Sequence, residues 1–321
     1  MTAGVHERTL PAGVDRGALA SPVVRVVAWA SLVAEVLLVG TGGAVRLTGS
    51  GLGCPTWPRC TVASFTTTPA MGVHGVIEFG NRMLGGVLAV LAILAFLMVV
   101  KLLRSRPDLF WLSFVAGLGV PFQAVLGGIT VLTQLTWWLV GLHFIASMVL
   151  VVLTTIFLVR VYAVPGPRAR AVPNWYAATA YVTSVVVGIT IVFGIITTGS
   201  GPHAGDVKTP RNGLNPEIIE HVHAIPAYIT FALTLVLVAG AWRIRTTPVR
   251  RYALLLLGVE LAQIAVGLIQ SNTGLPGVLV GIHMTLAATL AATMTAVALS
   301  LTAPAAPDEV AAGSAVESVA A

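Results

Sequence analysis

The chain has 321 residues, of which 56% are hydrophobic and only 9% are charged. Soluble domains carry about a quarter charged residues, so this composition excludes an ordinary soluble globule. A mean hydropathy of +0.92 and several apolar runs of about 20 residues or more instead indicate a polytopic α-helical membrane protein. The net charge of +6 does not indicate nucleic-acid binding, because the basic residues follow the membrane topology rather than form one patch.

Apolar runs bounded by Pro, Gly and charged residues predict eight membrane-spanning helices. They lie near residues 24–45, 74–100, 109–132, 138–161, 174–197, 217–242, 251–272 and 277–301. Charged residues, Pro and Gly fill the stretch before the first of these runs, so we expect no cleaved signal peptide.

The distribution of Lys and Arg predicts the orientation of the helices. Thirteen of the 18 basic residues fall on the side that contains both chain ends, which we call the inner side. Four fall on the outer side, namely Arg46, Arg59, Lys208 and Arg211. Arg82 lies within the second span. The positive-inside rule then places both termini in the cytoplasm, and the loops 46–73 and 198–216 outside the cell membrane.

Several motifs recur along the chain and indicate two related halves. The recurring pairs are VGLHF at 140–144 with VGIHM at 280–284, Gln123 with Gln263, Ile77-Glu78 with Ile219-Glu220, and TGSG at 48–51 with TGSG at 198–201. The offset drifts from 140 to 150 residues across these motifs. Because each half contains an even number of helices, we predict two four-helix bundles in a parallel repeat, related by an axis along the membrane normal.

The predicted organisation has five parts. These are a cytoplasmic tail at 1–23, an N-terminal half at 24–161, a cytoplasmic linker at 162–173, a C-terminal half at 174–301 and a cytoplasmic tail at 302–321. The last part consists mainly of Ala, Pro and acidic residues and has few bulky apolar side chains, so we expect it to be disordered.

Three histidines share one depth in the predicted membrane. His143, His223 and His283 each lie about six residues from the outer end of a helix, or roughly 9 Å deep. A lone membrane histidine more often bonds neighbouring helices than binds a metal, but two at matching depth in duplicated motifs favour a metal site. His223 and His283 could clamp the iron of a heme from two helices. In the N-terminal half, Asn81 takes the position of His223.

Ionisable residues also interrupt the apolar runs. Glu78 lies one turn before Asn81, and Arg82 lies beside it. Charged groups inside a span are costly and usually mark a functional site. Glu35 and Glu260 lie alone in mid-span, where we expect them to pack or to line a polar cavity.

Three stretches resemble the signatures of the heme A synthase family. They are GAVRLTGSGLGCPTWPRC at 43–60, IEFGNR at 77–82 and TGSGPHAGD at 198–206. The likeness extends over residues 25 to 300. It implies an eight-helix membrane enzyme of cytochrome oxidase assembly, which oxidises the C8 methyl of heme O to the formyl group of heme A through successive hydroxylations with water as the oxygen source.

The resemblance also implies roles for particular residues. A heme b cofactor lies between histidines that match His223 and His283, and heme O enters the N-terminal half. There a glutamate matches Glu78, to which we assign the role of general base, and one histidine matches His143. The family's second histidine falls on Asn81, beside Arg82, so this chain lacks the second imidazole at its substrate site.

The predicted outer loops supply further candidates. Arg46, Lys208 and Arg211 lie where heme propionates would emerge and could pair with them, although they could equally be ordinary loop charges. Cys54 and Cys60 lie in a compartment where disulfides persist. The resemblance implies a reactive cysteine pair there, and a structural staple that pins the stiff segment between them as a lid is the alternative.

Two other functions use the same residues. A membrane b-type cytochrome that exchanges electrons with quinone would keep the histidines, but Asn81 argues against a permanent second heme. A transporter with parallel repeats would use Glu78 in its pathway, but no predicted span is broken at mid-membrane. For a heme A synthase we expect heme O, membrane lipid, heme O synthase and cytochrome oxidase assembly factors as partners, and the sequence leaves the oligomeric state and the electron acceptor open.

Overall fold

A computed structural model of the protein describes residues 21–305. Within that range, eight helices are long and apolar enough to cross a membrane, which confirms the predicted all-α membrane fold. They are α1 Pro22–Leu47, α2 Gly72–Val99, α3 Pro107–Leu132, α4 Trp137–Tyr162, α5 Asn174–Ser200, α6 Pro216–Ile244, α7 Thr247–Asn272 and α8 Gly277–Ser300. Short 3-10 helices at Pro69–Met71 and Val100–Leu102 extend α2 at both ends.

A side-chain cap marks the start of α6, and the prolines inside α3 and α6 do not break these helices. Asn215 precedes α6, and its side-chain oxygen accepts hydrogen bonds from the backbone amides of Glu217 and Ile218. Such a cap satisfies amides that have no partner within the helix. Pro121 and Pro226 lie inside α3 and α6, yet both helices continue past them. None of the eight spans is therefore broken at mid-membrane, as the sequence predicts.

The helices associate in two rings of four. In the first ring α1 packs on α2, α2 on α3 and α3 on α4, and α4 packs back on α1. The second ring joins α5, α6, α7 and α8 in the same order, and α8 packs back on α5. The two rings meet where α8 contacts α1 and α4, and where α4 contacts α5. The predicted division at residues 162–173 and the symmetry of a parallel repeat both stay predictions.

The best-packed parts of both rings lie towards the inner side. One cluster of buried residues joins α1, α4 and α8 to the inner ends of α2 and α3, and a second joins the inner halves of α5 to α8. Large apolar side chains such as Val26, Leu37 and Leu97 are exposed on the outside of the rings. Lipid would cover that surface, so the core of this protein is smaller than that of a soluble protein of equal length.

The chain just after α8 differs from the sequence prediction. Thr302–Pro304, predicted to belong to a disordered tail, form a strand (β2) that pairs antiparallel with a strand (β1) at Arg168–Arg170 in the linker. The Arg168 guanidinium also donates to the Thr302 carbonyl at 2.7 Å. A two-stranded ladder needs backbone partners rather than bulky apolar side chains, which is why composition did not predict it. The remaining parts of both predicted tails, before residue 21 and after residue 305, lie outside the described residues.

Candidate functional site

His223 and His283 face each other in the outer half of the second ring. His223 lies on α6 and His283 on α8, with ring centroids 6.4 Å apart and ring planes at 76°. A bond between a metal and an imidazole nitrogen is about 2 Å long, so two imidazoles on opposite sides of one ion have centroids roughly 6 Å apart. The two rings therefore stand at the separation that one shared metal ion requires.

The donor set favours an iron porphyrin over a bare metal ion. Within residues 21–305 there is no group of three or more His, Cys, Asp or Glu side chains that could hold a metal. A bare ion would need at least one further protein ligand beside His223 and His283. The iron of a heme takes only its axial ligands from the protein, so two histidines are sufficient.

Each of the three histidines packs on a glycine of a neighbouring helix, which we call its seat. The pairs are His143 on Gly127, His223 on Gly194 and His283 on Gly267, and in each pair a Cβ added to the glycine would lie 3.2 Å from the imidazole Cε1. Any larger residue at a seat would press on the ring. The seats thus allow each imidazole to lie against a helix backbone, which fixes the direction of the ring.

The ring nitrogens are arranged for metal binding. In all three histidines Nδ1 is buried and makes no hydrogen bond of ordinary geometry within residues 21–305. The backbone carbonyls of Thr190 and Gln263 lie beside His223 and His283, respectively. A metal-bound imidazole commonly directs its second nitrogen at such an acceptor. Nε2 is then the nitrogen that remains for a metal.

The outer half of the second ring is loosely packed around this pair. All buried residues of α7 lie between Val249 and Glu260, and all those of α8 lie between Ala288 and Val297. The histidines themselves are half-buried. A flat macrocycle between helices needs a part of the bundle that the protein's own side chains do not fill. The few buried residues here, the glycine seats and the unpaired Nδ1 atoms together fit a heme.

The first ring contains one such histidine. Here Asn81 accepts a hydrogen bond at its Oδ1 from the Thr41 hydroxyl, at 2.8 Å. Gly42 of α1 lies beside this side chain, since a Cβ added to it would be 4.0 Å from the Asn81 amide nitrogen. The first ring thus lacks the second imidazole but has a glycine next to position 81. The sequence did not single out Thr41, because a threonine in an apolar helix is a weak signal.

Glu78 and Arg82 hold the first outer loop. Glu78 is only 5% exposed, and its Oε1 pairs with the Arg82 guanidinium at 2.5 Å. Its Oε2 accepts a hydrogen bond from the Cys54 backbone amide at 2.5 Å. Arg82 in turn donates to the carbonyls of Cys54 and Thr56, at 3.1 Å each. The spacing of four residues could have predicted the ion pair, whereas nothing in the sequence indicated the contacts with the loop.

Cys54 and Cys60 form a disulfide, and both residues are fully buried. Between them, the Trp57 indole packs so closely on Gly128 of α3 that a Cβ at this glycine would overlap with the ring. Gly128 directly follows Gly127, the seat of His143. The loop therefore reaches the outer part of the first ring, while its function as a lid and a redox role for the cysteines both stay predictions.

The three basic residues proposed to meet propionates differ in their surroundings. Arg46 extends from the end of α1 to the second outer loop, where backbone carbonyls at positions 198 and 203 accept hydrogen bonds at 2.9 and 2.5 Å. Arg211 donates to two carbonyls of the same loop, at 2.7 and 3.0 Å. Lys208 is exposed. The two arginines thus stabilise the outer loop, and their pairing with propionates stays a prediction.

Other histidines of the described chain have local partners. His74 Nδ1 lies 2.9 Å from the Ser50 hydroxyl in the first outer loop, so this residue does not replace the imidazole that is absent at Asn81. His221 is exposed, and its Nδ1 lies 2.7 Å from the carbonyl of Glu217 in the preceding turn. Both arrangements are those of structural histidines.

Comparison with known proteins assigns the chain to a family. The COX15-CtaA family, described as cytochrome oxidase assembly protein, matches residues 25–295. Among similar proteins, the heme A synthase of Alkalihalophilus pseudofirmus is 31% identical over 128 residues, or 39% of this chain and 42% of that protein. The heme A synthase of Exiguobacterium sibiricum is 32% identical over 130 residues, again 39% and 42%. That of Halalkalibacterium halodurans is 28% identical over 164 residues, or 48% and 54%.

These alignments span about half or less of each relative, whereas the family match includes parts of all eight spans, the first outer loop and the four positions His143, Asn81, His223 and His283. The chain therefore belongs to the COX15-CtaA family of cytochrome oxidase assembly proteins.

Proposed function

We propose that this protein is a heme A synthase, which oxidises the C8 methyl of heme O to a formyl group for the maturation of cytochrome c oxidase. The observation that carries the proposal is the imidazole pair of His223 and His283, at 6.4 Å in a loosely packed part of the second ring. Membership of the family and the names of the similar proteins support the choice of reaction.

The second ring would hold a heme b cofactor. His223 and His283 would be its axial ligands, and their seats Gly194 and Gly267 would keep both rings in place. When bound, the heme b supplies one-electron transfer between the substrate site and an external acceptor. The protein's own contribution is to fix the two imidazoles and to bury their Nδ1 atoms.

The first ring would receive heme O as its substrate. His143 on its seat Gly127 would bind the iron on one side. On the other side, the pair of Thr41 and Asn81 offers polar atoms but no imidazole. Ligation from one side suits a substrate that has to enter and a product that has to leave, because tight binding of both would slow release.

Glu78 would take up protons during the oxidation. Each hydroxylation of the methyl carbon takes an oxygen atom from water and releases two electrons and two protons, and the resulting gem-diol loses water to give the aldehyde. The carboxylate of Glu78 is fixed by Arg82 and by the Cys54 amide, and each of its oxygens keeps a lone pair for a proton. A base held in one place is effective because little reorganisation is needed during transfer.

The proposed function also includes a location and partners for the protein. The eight spans make this a multi-pass membrane protein. We propose that it lies in the cell membrane with both termini in the cytoplasm, since that side carries most of the basic residues. Heme O synthase would supply the substrate, and cytochrome oxidase assembly factors would receive the product.

Pigment extraction tests the proposal against the two alternatives. The full chain is expressed with heme O synthase in a host that lacks heme A, and the hemes of the purified protein and of the membranes are separated and identified. A heme A synthase gives a formyl heme, a b-type cytochrome gives protoheme only, and a transporter gives no bound heme. Absence of any formyl heme from a folded, heme b-containing preparation would exclude the proposed reaction.

A further inference from the structure

A small cavity inside the first ring contains a carboxyl group that the proposed function does not use. The cavity has a volume of about 20 Å³ and is lined by residues of α1, α2, α3 and α4. Glu35 lines it from the middle of α1 and is only 4% exposed. A cavity of this size has room for a single water molecule.

Glu35 has no charged or hydrogen-bonding partner among residues 21–305. Neither of the ion pairs in this part of the chain includes it, and no hydrogen bond reaches its carboxyl group. None of the ten residues that line the cavity is basic. An ionised carboxylate without a partner is costly at this depth, whereas a neutral carboxylic acid keeps an O–H group that can donate.

The polar neighbours of Glu35 in the cavity are in a position to accept hydrogen bonds. They are the hydroxyl groups of Ser31, Ser113 and Thr154. Each donates its hydrogen to a backbone carbonyl of its own helix, at 2.8 to 2.9 Å. Because each hydroxyl hydrogen is already used in this way, each hydroxyl oxygen can only accept a hydrogen bond from a group in the cavity. The group that satisfies them has to be a donor, such as a protonated carboxyl or a water molecule.

A second unpaired group lies between this cavity and His143. Gln123 donates from Nε2 to the Ser147 hydroxyl at 2.5 Å and to the His143 carbonyl at 3.2 Å. Its Oε1 is buried and accepts no hydrogen bond within the described residues. Val120, which lines the cavity, precedes Gln123 by one turn on the same face of α3. Gln123 itself does not line the cavity, so its buried acceptor, about one turn above, lies outside the reach of a water molecule held there.

We propose that Glu35 is a neutral carboxylic acid that binds one internal water molecule in this cavity. The carboxyl group donates its proton to the water. The water in turn donates its two hydrogens to two of the acceptors around it, which are the hydroxyl oxygens of Ser31, Ser113 and Thr154.

Infrared spectroscopy of the purified full-length protein tests the protonation state. A carboxylic acid C=O band that shifts in D2O is expected in the parent protein, lost in Glu35→Gln and Glu35→Met, and retained in Glu260→Gln. Glu260 is the matched control because it is a buried carboxyl of the second ring, bonded there to Thr234 at 3.0 Å. Identical carboxylic acid bands in the parent, Glu35→Gln and Glu35→Met would overturn the proposal.

The water is tested by isotope exchange. An O–H band that shifts in oxygen-18 water is expected in the parent and lost in Glu35→Met, whose side chain fills the cavity. Ser113→Ala, which removes one acceptor from the cavity, should shift the Glu35 C=O band, while Gln123→Met, which lies outside the cavity, should not. An oxygen-18-sensitive O–H band that is unchanged in Glu35→Met would exclude the bound water. None of these measurements uses heme conversion, so the proposed function and this site can fail separately.

Discussion

The two rings of this protein have the same order of four helices and differ at one proposed heme-ligand position, which is Asn81 in the first ring and His223 in the second. In the second ring, His223 and His283 face each other at 6.4 Å. In the first ring, His143 keeps its seat, but Asn81, bonded to Thr41, takes the place of the second imidazole. Two imidazoles suit a cofactor that stays bound, and one suits a heme that has to exchange. The same four-helix plan can thus retain a heme or turn it over.

The packing around the ligand position differs less. An added Cβ at Gly194 would lie 3.2 Å from the His223 imidazole, and in the first ring an added Cβ at Gly42 would lie 4.0 Å from the Asn81 amide nitrogen. Both rings therefore have a glycine on the neighbouring helix at this point. The side chain at position 81 is the difference, and restoring the histidine alone should have a measurable effect.

The largest effect is expected when the second ring loses a ligand. His223→Ala or His283→Ala should abolish the low-spin heme b absorbance of the purified protein, because ligation from both sides fails when either imidazole is removed. The control is His221→Ala, which removes an exposed histidine only two residues from His223 and should leave the spectrum unchanged. Full heme b content in both ligand variants would disprove the assignment of this site.

The next largest effect concerns turnover in the first ring. Glu78→Gln should lower heme A formation by about 100-fold or more, the usual contribution of a general base, while heme b stays bound. The amide preserves the shape and the acceptor towards Arg82 or Cys54. The measurement is the ratio of heme A to heme O at equal heme b content, with mass spectrometry to verify that the disulfide is intact. A normal ratio would assign Glu78 to loop structure alone.

A smaller effect is expected from the glycine seats. Gly194→Ala and Gly267→Ala should each lower heme b occupancy several-fold, because the added methyl group displaces the imidazole. Gly188→Ala on α5 and Gly258→Ala on α7 are matched controls, since a Cβ at either position meets no atom within 4 Å. Occupancy is measured from the heme-to-protein ratio. Equal ratios for seat and control variants would show that the glycines do not position the rings.

The smallest effect is expected from converting the first ring towards the second. Asn81→His should raise the amount of bound heme O or partly oxidised heme, with equal or lower turnover, because it adds an imidazole opposite His143. Gly42→Ala combined with Asn81→His should reduce the gain, because the added methyl group would press on the new imidazole. If Asn81→His binds no more heme than the parent, position 81 does not face the substrate.

The sequence predicted the parts of this structure that follow from local pattern. The lengths of the apolar runs predict where the eight spans lie. The observed helix ends differ by only a few residues from the predicted ones. The histidines could be identified because repetition marks His143 and His283 against a background of ordinary membrane residues.

Contacts between distant parts of the chain could not be predicted in this way. Three sets of contacts join residues that are 23 or more positions apart. They are the hydrogen bonds of Arg82 with the first loop, the packing of Trp57 on Gly128 and the bond between Thr41 and Asn81. Their positions depend on how helices pack, and packing depends on the shape of many side chains together. For the same reason, the sequence did not show which glycines would serve as seats.

The pairing of β1 with β2 has a consequence for the way the second ring is connected. Paired strands lie about 5 Å apart, so the segment between Arg168 and Pro304 begins and ends at nearly the same point on the inner face. A segment with adjacent ends can be excised, inserted elsewhere or circularly permuted without stretching its neighbours. A gene duplication that appended such a segment would need no new connection across the membrane, and its main adjustment would be the packing of α8 on α1 and α4.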